Sequence, residues 1–109
     1  MGRELVGSFE YQILAILLRH PNDAYGATIQ ERIKEHTGRE ASFGAIYTTL
    51  DRLERKGFVT SSWGEPTAKR GGRRKRYYRI EATGAQAARR FEAMQMSFAA
   101  GRGPVPEGV

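Results

Sequence analysis

The sequence predicts a mainly α-helical fold with one small β-hairpin: a winged helix-turn-helix followed by a single C-terminal helix. Three observations carry that prediction. Apolar residues recur at helical spacing in three successive segments, each bounded by capping and stop residues. The period then changes from helical to extended over residues 58–80, with Gly and Pro between the two extended runs. A fourth helical stripe follows, and the chain ends in Gly and Pro without periodicity.

Each element has its own signals. Ser8 is placed to cap the first helix, with Glu10 in the first turn where a carboxylate favours the positive end of the helix dipole. Phe9, Ile13, Ile16, Leu17 and His20 form one stripe, and Leu14 and Leu18 widen it. A helix apolar over so wide an arc needs cover on two sides, and a second subunit is one source of it. Pro21 and Asn22 end the helix. Asn22 or Asp23 is expected to cap the second helix, in which Tyr25, Ile29 and Ile33 line one face and Gly38 supplies a left-handed C-terminal cap. Ser42 is expected to cap the third, with Phe43, Ile46, Leu50 and Leu53 as its stripe and Gly57 as its stop. "FVTSSW" (58–63) and "RRKRYYRI" (73–80) read as strands. Tyr77 and Tyr78 then face opposite sides, one of them packing on the third helix. Thr83 is expected to cap the last helix, whose stripe is Ala87, Phe91, Met94 and Phe98. Residues 99–109 are expected to be disordered.

At 109 residues the chain is one domain with a modest core. It contains no apolar run long enough for a membrane helix and no signal-like N-terminal stretch. With no cysteine it has neither disulfides nor a thiolate metal site, which fits a cytoplasmic location. The net charge is +6, but it is concentrated in one place. Residues 66–80 carry seven cations (Lys69, Arg70, Arg73, Arg74, Lys75, Arg76, Arg79) and no acid, so the other 94 residues sum to −1. A solvated loop can be basic by chance, but charge gathered into one finger points to a polyanionic partner.

In a winged helix-turn-helix the third helix lies in the major groove of DNA and the hairpin follows the backbone or the minor groove. The face of the third helix away from its apolar stripe carries Ser42, Gly44, Ala45, Tyr47, Thr48, Thr49, Arg52 and Arg55. Small and hydroxyl-bearing residues in the first turn let the backbone approach, so its amides and Ser42 can hold a phosphate. Arg52 is the best candidate for a bidentate contact to guanine. Plainer readings stand beside these: Tyr47 packing on the second helix, and Arg52 or Arg55 pairing with Asp51 or Glu54. In the wing, Gly71 and Gly72 let the tip approach a surface, while Lys69, Arg70, Arg73, Arg74, Lys75 and Arg76 neutralise phosphates.

The segments "SFEYQILAILLRHPNDAYGATIQERI", "SFGAIYTTLDRLERKGFV" and "GEPTAKRGGRRKRYYRIEATG" resemble the PadR family of bacterial transcriptional regulators, from about Leu5 to Phe98. The resemblance implies a dimeric repressor that binds a palindromic operator near its own promoter. It assigns Tyr47, Thr48, Thr49 and Arg52, with the basic residues Lys69 to Arg76, to DNA contact. It also implies that the last helix packs with the first helix of the partner. That places Tyr11, Leu14, Leu18, Ala87, Phe91, Met94 and Phe98 at a dimer interface. The organisation expected is a DNA-binding domain over 1–82, a dimerisation helix over 83–98 and a tail over 99–109. With one helix after the wing, the chain looks like the short subgroup, which lacks a large effector domain. Trp63 lies in the first wing strand rather than the last helix, so no effector site is carried over and any small-molecule effector stays unidentified.

Other functions are less well supported. His20 and His36 sit on different helices without neighbouring Cys or acid clusters, and no Ser has a base at a readable spacing. No catalytic residue, metal ligand or cofactor is therefore expected, and Gly71-Gly72 is a turn rather than a nucleotide loop. An RNA- or ribosome-associated winged helix would use the same basic finger but would not need a dimerisation helix. A protein-binding winged helix would tolerate reversal of the wing charge.

Overall fold

The chain folds around its first helix. In the computed structural model, which describes residues 6–65 and 74–101, α1 spans Ser8–Arg19 and buries Ile13, Leu14, Ile16 and Leu17. Its cap lies one residue earlier than expected. Glu10 reaches back to accept the Gly7 N–H at 3.0 Å, so Gly7 occupies the cap position and Ser8 is the first helical residue.

The second helix, α2, spans Gly26–Thr37, starting two to three residues later than the capping pattern suggests. The reason is a distant contact: the Ala24 carbonyl accepts the Tyr78 N–H at 2.8 Å, and Tyr25, extended at φ −139° and ψ 174°, takes the cap position. Thr28 then fixes the start, its Oγ1 accepting the Tyr25 N–H at 3.0 Å and donating to the Asp23 carbonyl at 2.6 Å. Ile29 and Ile33 face the core, and Gly38 closes the helix at φ 74°, in the left-handed region open to glycine.

Ser42 caps α3 (Phe43–Arg55) as expected, its Oγ accepting the Ala45 N–H at 3.0 Å. The buried stripe is Ile46, Thr49, Leu50 and Leu53. Two residues depart from the sequence expectation. Phe43, counted with the stripe, is 46% exposed and lies against Tyr47. Thr49, placed on the DNA-reading face, is buried, because it lies three residues after Ile46 and four before Leu53.

Strands β1 (Val59–Trp63) and β2 (Arg76–Ile80) pair antiparallel, with Val59 opposite Ile80 and Trp63 opposite Arg76. Tyr78 is the inward tyrosine, buried at 6% exposure, while Tyr77 meets the edge of Tyr25 with ring centroids 5.3 Å apart. The wing tip, including Lys69, Arg70, Gly71, Gly72 and Arg73, lies outside the described residues.

The last helix, α4, spans Ala82–Ala99. Thr83 does not cap it; its Oγ1 donates instead to the Gly57 carbonyl at 2.6 Å, tying α4 to the end of α3. Gly84 packs directly on the Phe58 carbonyl, where no Cβ would fit, so α4 sits tight against the start of the hairpin. Ala87 and Ala88 are buried, and Tyr11 stacks on Phe91 at 4.5 Å and donates to Glu92 at 2.6 Å. That hydrogen bond, with partial burial, raises the Tyr11 phenol above its ordinary value.

The first half of α4 therefore covers α1 of its own chain. The second cover that α1 requires comes from α4 and β2 of the same molecule. Leu14 and Ala87, expected at a dimer interface, are instead buried in this protomer's core at 0% and 2% exposure. Beyond Glu92 the helix loses its cover, and Met94, Met96 and Phe98 are 42%, 69% and 64% exposed. Ala99 belongs to α4 and Ala100 caps it, although the tail was expected to be disordered from 99; residues 102–109 lie outside the described residues.

Candidate nucleic-acid interface

An open groove of about 650 Å³ lies between α3 and the hairpin. Tyr47, Thr48, Asp51 and Glu54 form its helical wall. Trp63, Arg74, Lys75, Arg76 and Tyr78 form the wing wall, and Tyr25 closes one end. At 3.6 residues per turn, Gly44, Thr48, Asp51 and Arg55 lie opposite the buried stripe of α3. Tyr47 is one step round from them, toward the wing. Its ring lies over Gly26 at the start of α2, where a Cβ would collide with the phenol. Both readings of Tyr47 therefore hold: it packs on α2, and it is 44% exposed in the groove.

A polar network fixes the wing to α3. Ser61 donates to Glu54 Oε2 at 2.9 Å, and Arg76 donates to Ser61 Oγ from Nε at 3.1 Å and Nη2 at 2.9 Å. The same guanidinium lies 3.6 Å from Glu54 Oε1. On the open side, Arg55 pairs with Asp51 at 2.6 Å. Both carboxylates of the groove thus already have a cation. Arg74 and Lys75 have no carboxylate partner among the described residues. Arg74 donates to the Gly64 carbonyl at 3.1 Å, and Lys75 lies over the Tyr25 ring at 5.2 Å. The groove consequently carries a surplus of positive charge available to an anion. Burial, the main influence, raises the Tyr78 phenol and keeps it neutral at the groove floor.

Arg52, the arginine favoured from sequence, lies at the edge of this surface. Its Nη1 sits 3.9 Å from Glu10, a buried carboxylate that Lys56 also holds at 3.1 Å. Neither arginine lines the groove itself, but by helical position Arg55 lies more nearly opposite the buried stripe of α3 than Arg52 does. Ser42 Oγ is engaged by Ala45, which leaves the Phe43 and Gly44 amides as the outward donors of the helix start. The structure brings Gly44, Tyr47, Thr48, Arg74, Lys75 and Arg76 onto one side of the molecule and withdraws Thr49. Sequence reasoning missed Trp63, Tyr25 and the Glu54–Ser61–Arg76 network. Strand alternation was the available signal, since Val59, Ser61 and Trp63 share one face.

The family model for "Transcriptional regulator PadR-like family" matches residues 13–90, which include α2, α3, the wing and the start of α4. The chain belongs to the PadR-like family of transcriptional regulators. Solved PadR-like structures have the same architecture. A PadR-like transcription factor from Bacteroides fragilis is 25% identical, with 84% of each chain covered and a TM-score of 0.71. A transcriptional regulator from Clostridium thermocellum is 26% identical over 85% of this chain and 89% of that one, with a TM-score of 0.67. Bacillus subtilis PadR, solved in complex with operator DNA, is 25% identical over 94% of this chain and 52% of its own, with a TM-score of 0.68. A comparison with curated proteins finds no match.

Proposed function

We propose that this PadR-like regulator is a homodimeric repressor that binds a palindromic operator in the cytoplasm. In this reading α3 enters the major groove and the wing follows the backbone. The observation that carries the reading is the α3–wing groove, where Arg74 and Lys75 stand beside the exposed Thr48 without a carboxylate partner among the described residues. The operator complex of the Bacillus subtilis relative supports the choice of ligand. Arg55, braced by Asp51, and Arg52 at the edge are the base-reading arginines, and the wing cations are phosphate clamps.

The surface left for a dimer is smaller than the sequence suggests. Leu18, Met94, Met96 and Phe98 are exposed apolar side chains on α1 and the free half of α4. A two-fold contact through that half of α4 would cover them and set two α3 helices toward successive major grooves, about 34 Å apart. Tyr11 and Phe91, stacked on each other, would support the contact from beneath.

The test is selection of bound sites from a randomised duplex pool, followed by footprinting. An inverted repeat with half-sites about one helical turn apart is expected. A single unrepeated half-site, or enrichment of no sequence, would contradict the reading. Phe98→Asp should yield monomers by solution mass; dimers that persist would place the interface elsewhere.

A further inference from the structure

The hairpin has one face turned to α3. Val59, Ser61 and Trp63 lie on it from β1, and Ile80, Tyr78 and Arg76 from β2, by the alternation of side chains along paired strands. Its character changes step by step. Val59 and Tyr78 are buried in the core, and Ser61 and Arg76 are tied to Glu54. Trp63 lines the groove together with α3 residues and is 56% exposed. Tryptophan is on average a largely buried residue, so an indole left half in water offers apolar surface to a partner. Two cations lie against it, with the guanidinium of Arg76 5.6 Å and that of Arg74 6.0 Å from the ring.

We propose that Trp63 is a further DNA-contacting residue, its ring packing on the deoxyribose edge of the duplex where the backbone leaves α3 and passes the wing. The inference rests on the DNA-binding reading of the same groove. The geometry suits that role in two ways. The indole forms part of the wing wall of the groove, opposite Thr48 and Asp51, so a duplex seated on α3 must run alongside it. Arg74, which has no carboxylate partner among the described residues, can then reach a phosphate beside the sugar the ring covers, while Arg76 stays tied to Ser61 and Glu54. The indole supplies apolar contact that a phosphate clamp lacks, and a sugar presents the same surface whatever the base, so the contact adds affinity without sequence preference.

Trp63 is the only tryptophan in the chain, so its emission reports on this one site. A labelled mixed-sequence duplex is titrated into the wild-type protein at low salt. Anisotropy of the label follows binding, while Trp63 emission and its quenching by acrylamide follow the ring. Emission should change in step with anisotropy, and bound duplex should protect the ring from acrylamide. Trp63→Leu should weaken the mixed-sequence duplex and a selected operator alike, on the order of tenfold, and Trp63→Phe should recover most of that affinity. If anisotropy reports binding while emission and acrylamide access stay constant, the Trp63 assignment is overturned and the DNA-binding reading stands. Weaker binding by Trp63→Leu without protection of the wild-type ring would overturn it too, because the indole would then only brace Arg76. Failure of any duplex to bind would overturn both readings.

Discussion

The two walls of the groove are built on opposite principles. The α3 wall balances its charge: Asp51 holds Arg55, Glu54 holds Arg76 directly and through Ser61, and the other two lining residues, Tyr47 and Thr48, carry hydroxyls. The wing wall leaves its charge unbalanced, with Arg74 and Lys75 free of acids among the described residues. A neutralised surface gains little from a phosphate but can discriminate by shape and donor pattern. An unbalanced one attracts any polyanion and discriminates little. The comparison assigns sequence preference to the helix and affinity to the wing, and it can be tested one wall at a time.

The largest effect should come from the wing. Replacing Arg74, Lys75 and Arg76 together by Ala should weaken operator and random duplexes alike, by roughly a hundredfold at moderate salt. The salt dependence should become shallower by about 0.9 for each phosphate that is no longer neutralised. Weakening confined to the operator, measured by anisotropy on both duplexes, would mean that the wing reads bases.

The helix should behave in the opposite way. Arg55→Ala should reduce discrimination between operator and random duplex by about 1–3 kcal/mol, with a smaller reduction for Arg52→Ala, which Glu10 holds at the edge of the surface. Equal weakening of both duplexes by Arg55→Ala would make that arginine a phosphate clamp. The smallest effect concerns Tyr47. Gly26→Ala should push the phenol off α2, since a Cβ there meets the ring, and Tyr47 is exposed enough to swing away. Thermal stability should change by less than about 1 kcal/mol, while operator affinity falls a few-fold. A large drop in Tm would show that the Tyr47 contact belongs to the core rather than to the groove.

The helices and the hairpin were legible in the sequence because each depends on local chemistry. The Ser42 cap, the left-handed Gly38 and Gly57 and the switch of period at Phe58 need no distant partner. What was not legible depends on tertiary contact. The late start of α2 follows from Ala24 pairing with Tyr78, a residue far along the chain. Leu14 and Ala87 looked like interface residues because nothing local says that α4 folds back onto its own α1. Thr49 was misplaced because hydroxyl chemistry was weighed above its position in the buried stripe. The Glu54–Ser61–Arg76 network joins three elements and has no signature in any one of them.

A cationic groove that grips duplex DNA through its phosphates must let go as salt rises. The most direct measurement is the affinity of the wild-type protein for a duplex across a series of salt concentrations. A dimer that neutralises about six to ten phosphates should give a straight line of log affinity against log salt, with a slope of roughly −5 to −9. A slope near zero, or no binding at low salt, would contradict that grip.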